Sequence, residues 1–275
     1  MKRGLLSFSP DQVAAIRMFV SFLSLVPFVI HRMKEVKKKY YLYMFAVGLL
    51  GNGIPAFLFT HAQTHIASAM AGMLNSLTPV FVVIVGSLFF GSIFKTSHIL
   101  GVLIGLSGAV ALILINSGGI IVSSNNWYGL LIVFATISYA FSVNIIRKFL
   151  HEINAVHITG FALFAAGIPC GIFLFTTDFI SRFSIAGAWG NFGCILLLGL
   201  LGTALSTVIF NKLIKISNPL YAASVTYLIP IVAMLWGLFD GEALTIFHLF
   251  AMAGILFGVY LINHQSIRES KAVKS

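Results

Sequence analysis

"LNSLTPVFVV" (residues 74–83) and "VTYLIPIVAM" (residues 225–234) are two versions of one stretch, and reading them together decides the fold. Each sets a proline in the middle of a long apolar run, with polar side chains just before it. A proline inside a helix deletes a backbone hydrogen bond and crowds the preceding turn. Two such prolines in register are therefore informative. Pro79 and Pro230 are 151 residues apart, and the same offset carries "GLLG" at 48–51 onto "GLLG" at 199–202. It also carries Phe59 onto Phe210, Ala71 onto Ala222, Leu77 onto Leu228 and Gly86 onto Gly237; one residue less carries Gly91 onto Gly241. The chain reads as an internal duplication.

Composition supplies the solvent. Hydrophobic residues make up 59% of the chain and charged residues 9%, with a mean hydropathy of +1.01. Soluble domains carry about 25% charged residues. Nine apolar stretches, near 11–31, 41–63, 66–90, 98–116, 127–147, 154–177, 190–213, 218–239 and 243–264, reach the roughly 17 to 25 residues that a membrane-crossing helix needs. The expected fold class is an all-α, polytopic helical bundle. No soluble domain fits in the connectors. "MKRGLLSFSPDQ" is interrupted by Ser9, Pro10 and Asp11 before any apolar core, so it does not read as a secretory signal.

The net charge of +10 is distributed as topology rather than as a nucleic-acid surface. Arg32, Lys34, Lys37, Lys38 and Lys39 crowd the first connector. Lys95, Arg147 with Lys148, Lys212 with Lys215, and Arg268, Lys271 and Lys274 fall in alternate ones. The positive-inside rule makes that side, and the basic tail over 265–275, cytoplasmic. Tyr40, Tyr41 and Tyr43 on one side, and Trp127, Tyr128 and Trp189 on the other, fit interfacial aromatic belts. The partners implied are a small-molecule substrate and membrane lipid, without nucleic acid; composition says nothing of oligomeric state.

From the 66–90 stretch to the 218–239 stretch is five spans, an odd number, so the equivalent helices cross in opposite directions. Inverted repeats of this kind build many secondary transporters, with the substrate bound near the midplane. The doubled order of G-L-L-G, a turn, then a helix with a central proline and a glycine resembles the EamA-type permeases of the drug/metabolite transporter superfamily, over nearly the whole chain. That resemblance implies ten helices in two inverted five-helix halves, both termini cytoplasmic, and proline helices lining a midplane cavity for small metabolites. On it the halves are 1–116, with four spans, and 127–264, with five. The expected first helix is missing, and "KRGLLSFSP" looks like the tail of one, as "IRKFLHEIN" follows the 127–147 helix. The pattern often ends its proline helix with Gly-Glu; Gly241–Glu242 keeps it and Gly91–Ser92 does not.

Candidate substrate contacts follow from polar residues at mid-span. Pro79 has no N–H to offer the carbonyl of Asn75, and Pro230 likewise frees that of Thr226. An unpaired carbonyl in hydrocarbon costs several kcal/mol unless it faces protein or a wet cavity. Two readings stand: hydrogen-bonding patches for a substrate, or packing kinks whose carbonyls are met by side chains. Thr78 and Tyr227 flank the same sites. Asn52 shares a face with Phe59 and Gln63, and its repeat partner Thr203 shares one with Thr207 and Phe210. Tyr139 and Ser142 lie together on the 127–147 helix, with Ser138 beside them. Interhelical hydrogen bonding is the plainer reading of each hydroxyl. Arg17, inside the first span, is the candidate anion contact, and snorkelling to the surface is its alternative.

Other features carry less chemistry. "GVLIGLSG" (101–108) and "GILFG" (254–258) read as small-residue packing seams. All seven acidic residues fall at span ends or in connectors, so no mid-span carboxylate proton carrier is expected. His61 and His65 have metal-pair spacing but no third ligand, and Cys170 and Cys194 show no ligand or disulfide pattern. No cofactor and no metal are expected. The function expected is export or permeation of small neutral or zwitterionic metabolites by alternating access. A lipid-modifying membrane enzyme would need an acid, a base and a nucleophile at one interface. A non-transporting scaffold or receptor would need a dry, apolar midplane.

Overall fold

The computed structural model describes residues 1–30, 36–92, 96–116, 119–120, 127–216, 219–242 and 245–272; the side chains of 28–30, 96–97, 115–120, 216–227 and 263–272 lie outside that description. The chain is helical, as hydrocarbon demands: with no water to satisfy backbone polar groups, a segment must bond to itself. The helices are α1 (Pro10–Ile30), α2 (Tyr41–Gly48), α3 (Ile54–Ala62), α4 (Ser68–Asn75), α5 (Thr78–Phe90) and α6 (Thr96–Leu114). Then follow α7 (Gly129–Phe149), α8 (Ala155–Phe175), α9 (Ala188–Gly199), α10 (Ser206–Ile216), α11 (Pro219–Phe239) and α12 (Ile246–Ala272). Among the described residues the chain also forms a short antiparallel ladder, Ile115–Asn116 with Gly119–Ile120, after α6.

Among the described residues five helical stretches are long and apolar enough to cross a bilayer: Lys38–Ala62, Ser68–Phe90, Gly129–Phe149, Ala155–Phe175 and Ala188–Lys215. This is a polytopic helical membrane protein. Two stretches expected as uninterrupted spans are composite. The 41–63 stretch passes from α2 to α3 through a π-helical segment, Leu49–Gly53, and the 190–213 stretch passes from α9 to α10 through another, Leu200–Leu205. The 66–90 stretch is broken outright into α4 and α5 by a turn at Ser76–Leu77.

Two compact units emerge, and they do not follow the two halves of the sequence. The first comprises Met1–Thr64 and Phe141–Ile216, the second His65–Ala140 and Ser217–Ser275. Each therefore mixes elements from before and after the middle of the chain.

In the first unit α1 packs along α8. Gly167 and Gly171, one turn apart on α8, make this possible: a Cβ at Gly167 would lie 2.2 Å from Phe22 Cβ, and one at Gly171 2.5 Å from the Phe19 ring. The core holds Phe8, Ile16, Met18, Cys170, Leu174 and Ile195, with Phe183 edge-on and Phe179 and Phe192 tilted against the Phe8 ring. The entry to α1 is a capping box: Ser9 N–H donates to Gln12 Oε1 at 3.0 Å and Gln12 N–H to Ser9 Oγ at 3.3 Å, with Pro10 in the first turn. Buried Gln12 also donates to Asp178 Oδ1 at 2.6 Å, tying α1 to the loop after α8. Arg182 Nε donates to the same carboxylate at 2.7 Å and, as the largest cause, holds Asp178 below the usual carboxylate range. His61 and Asp11 pair at 2.7 Å across the ends of α3 and α1.

The second unit is organised by its small residues. A Cβ on Gly101 would meet the carbonyl of Gly258 at 2.6 Å, and one on Gly108 the carbonyl of Ala251 at 2.8 Å, so α6 and α12 run in backbone contact along the seams read from the sequence. On α4, Gly72 accommodates Ala233 of α11. Gly91 and Gly241 end α5 and α11 at positive φ, 74° and 73°, which glycine adopts without strain. Glu242, just after the second of these, accepts from the N–H groups of Ser68 (2.7 Å) and Ala69 (2.9 Å), capping the start of α4 where the helix dipole favours a negative charge. His65 stacks on Tyr128 with ring centroids 3.6 Å apart.

Candidate functional site

The two GLLG motifs converge in the first unit as the two π-helical segments. A π turn is rare and interrupts the regular bonding of the helix around it, and such turns occur preferentially at functional sites. Each carries one candidate polar residue turned inward: Asn52 is 6% exposed and Thr203 2% exposed. Thr203 Oγ1 accepts from Arg17 Nε at 2.7 Å and donates to the Leu198 carbonyl at 3.3 Å. Thr207 Oγ1 donates to Asn52 Oδ1 at 3.4 Å. Arg17 on α1 thus pairs with Thr203 on the second π segment, and Thr207 on α10 pairs with Asn52 on the first.

Neighbouring contacts fix these pairs. Ser21 Oγ donates to the carbonyls of Arg17 (2.6 Å) and Gly199 (2.8 Å), locking α1 to the start of the second π segment. Ser142 is buried against Gly51, where a Cβ would come within 2.4 Å of its Oγ. Phe59 is half-buried on α3. Between α10 and α8, Asn211 donates to Thr159 at 2.9 Å, both buried. Neither the GLLG spacing nor the hydropathy pattern pointed to Ser21, Thr159 or Asn211; each is one hydroxyl or amide inside an apolar helix, and only the opposite wall gives it a role.

The first unit also carries an apolar groove of about 430 Å³ beside its first π segment, lined by Gly53, Phe57, Ala166, Pro169, Cys170 and Phe173 among others. None of the predicted site residues lines it.

In the second unit, Asn75, Thr78 and Pro79 meet at the break between α4 and α5. Pro79 occupies the first turn of α5, where a missing N–H costs nothing. The Asn75 carbonyl accepts from Thr78 Oγ1 at 2.8 Å. Of the two readings of this proline, the structure has the carbonyl met by a side chain, so it is the Asn75 amide rather than the backbone that has an unmet polar atom: its Oδ1 is buried and without a hydrogen-bond partner. Pro230 behaves differently and stays inside the continuous helix α11. The side chains of Thr226 and Tyr227 lie outside the described residues. Tyr139 is half-buried on α7 within the second unit. Among the described residues no three His, Cys, Asp or Glu side chains gather as a metal site.

Comparison with known proteins gives a consistent result. The family model described as the EamA-like transporter family matches residues 1–114 and 126–264. An uncharacterized transporter of Archaeoglobus fulgidus is 25% identical over 256 residues, spanning 92% of this chain and 88% of the relative. The uncharacterized inner membrane transporter YedA of Escherichia coli K12 is 26% identical over 271 residues, spanning 94% and 83%. A solved crystal structure superposes with a TM-score of 0.66 at 17% identity, covering 96% of this chain and 92% of its own, a likeness of fold.

Proposed function

The chain belongs to the EamA-like transporter family and is a small-molecule membrane transporter, and from that premise we propose that it moves small neutral or zwitterionic metabolites by alternating access. On this reading it sits in the inner membrane, with the basic connectors and the C-terminal tail cytoplasmic. Its nine apolar stretches are spans of two inverted halves, 1–116 and 127–264, of a ten-helix plan. The observation that carries the proposal is the bonding of one residue of each π segment, Thr203 to Arg17 of α1 and Asn52 to Thr207 of α10. Polar side chains buried in an apolar membrane bundle are costly unless they are bonded to one another or to something that enters. Arg17 contributes a guanidinium suited to a substrate carboxylate, oriented through its Nε by Thr203, and the weak 3.4 Å contact at Asn52 leaves that amide open to exchange for a substrate bond. Phe59, Tyr139 and Ser142, with Thr226, Tyr227 and Pro230, complete the expected contact set.

Reconstitution tests this directly. Counterflow of zwitterionic amino acids into proteoliposomes, normalised to monodisperse protein, should fall about tenfold in Asn52→Leu and Thr203→Val, the size of losing one hydrogen bond to a bound ligand. Flux unchanged in both variants would refute the role of the π-segment pairs.

A further inference from the structure

The N–H groups of Ser76 and Leu77 and the hydroxyls of Ser76 and Thr78, at the α4–α5 break, are already engaged. The N–H and Oγ of Ser76 both go to the Met73 carbonyl, the N–H of Leu77 goes to the Leu74 carbonyl at 3.1 Å, and the hydroxyl of Thr78 goes to the Asn75 carbonyl at 2.8 Å. These groups satisfy the last carbonyls of α4, which a helix end leaves open. What remains is Asn75 Oδ1, buried and without a partner among the described residues. A buried acceptor with no donor is rare in native structures and calls for a specific explanation, such as a bound group. The Thr78 hydroxyl, bonded to the Asn75 backbone carbonyl, does not serve the amide of the same residue.

We infer that Asn75 Oδ1 is the acceptor for an ammonium group on the transported solute. A donor is required because the orphaned atom is an acceptor. A cationic donor is favoured over a neutral one by position, since Asn75 is the last residue of α4 and the C-terminal end of a helix carries partial negative charge. A charged donor also gives the stronger bond in a water-poor setting. The inference rests on the transport reading above and narrows it: the substrate carries a primary or secondary amine, and recognition of that amine belongs to the second unit. Turning the amide over would replace an unmet acceptor by an unmet donor and would call for a carboxylate instead, so the two ligand chemistries are separable by experiment.

The test uses the full chain in lipid nanodiscs with four matched probes: L-leucine, isopentylamine, N,N,N-trimethylisopentylammonium and 4-methylpentanoate. L-Leucine and isopentylamine should protect the wild type against thermal unfolding. The trimethylated cation, which has charge but no N–H, and the carboxylate should each bind at least about tenfold more weakly. Asn75→Leu should fold at least as stably, since it removes an unmet polar atom, and should lose isopentylamine binding by about tenfold or more. Asn75→Asp, which keeps the acceptor and adds charge, should retain or tighten it. Isopentylamine binding within twofold of wild type in Asn75→Leu would overturn the inference and assign the site to a trapped water. Preference for 4-methylpentanoate, failure of Asn75→Asp to bind the amine, or no response of the wild type to either amine-bearing probe would overturn it equally. Counterflow that depends on Asn52 and Thr203 but not on Asn75 would do so while leaving the transport reading intact.

Discussion

The two GLLG segments and the two proline segments share one sequence offset, yet only the first pair keeps a common backbone. Leu49–Gly53 and Leu200–Leu205 are both π-helical, whereas Pro79 opens a new helix and Pro230 is absorbed into the middle of α11. The residues around the prolines account for the difference. Ser76 and Thr78 turn their hydroxyls onto the carbonyls of Met73 and Asn75 and so stabilise a helix end. Their counterparts by the repeat are Tyr227 and Ile229, of which the isoleucine has no donor at all. A proline bends or ends a helix according to whether neighbouring side chains can take over the bonds it removes.

The largest expected effect sharpens the comparison within the GLLG pair. A Cβ at Gly48 would stand 2.3 Å from the Ala162 carbonyl, a backbone atom that cannot step aside, while one at Gly199 would stand 3.1 Å from the Arg17 carbonyl. Gly48→Ala should therefore cost about 3 kcal/mol or more through overpacking. Gly199→Ala should come out within about 1 kcal/mol of the wild type, because helix propensity gains up to about 1 kcal/mol against a small local shift. Unfolding in mixed micelles would measure both, and equal destabilisation would remove the asymmetry.

The proline pair should differ nearly as much, and in the opposite sense. Pro230→Ala restores a mid-helix bond and should stabilise the protein by about 1–3 kcal/mol, whereas Pro79→Ala, in a first turn, should change stability by less than about 1 kcal/mol. Parallel melting curves of the two variants are sufficient. A larger gain at Pro79 would mean that the break between α4 and α5 is imposed by the proline alone.

The ends of the same helices supply the next contrast. Gly91–Ser92 and Gly241–Glu242 close α5 and α11 onto equivalent glycines, with Ser92 N–H on the Gly86 carbonyl and Glu242 N–H on the Gly237 carbonyl, both at 2.9 Å. Only the second adds a carboxylate across to the N–H groups of Ser68 and Ala69. Glu242→Ser, which makes the second end like the first, should cost about 1–2 kcal/mol and speed amide exchange in the first turn of α4. Unaltered exchange there would assign the carboxylate no capping role.

The smallest change converts one proline site into the other. Thr78→Ile copies the residue at 229 and leaves the Asn75 carbonyl without its hydroxyl, at a cost of about 1 kcal/mol. Hydrogen exchange at Ser76 and Leu77 should report a loosened turn; no change would show that other donors can serve this carbonyl.

Hydropathy over some twenty residues determined where the chain would be helical, because in hydrocarbon each segment must satisfy its own backbone. The expected stretches at 11–31, 127–147 and 154–177 lie within two residues of α1, α7 and α8 at each end. Glycine spacing likewise announced the α6–α12 seam, since close backbone approach needs small residues at regular helical intervals. The break at Ser76–Leu77 was half-legible: the proline and its hydroxyls were visible, but whether the carbonyl met a hydroxyl or a cavity depended on rotamers. The grouping of residues 1–64 with 141–216, the bond of Arg17 to Thr203 and that of Gln12 to Asp178 were decided by tertiary structure alone. Those partners are more than 160 residues apart in the chain, and a lone hydroxyl or amide in an apolar helix carries no local signal of which wall it will face. The unmet acceptor at Asn75 belongs to the same class, because an orphaned atom exists only once every competing donor has been placed.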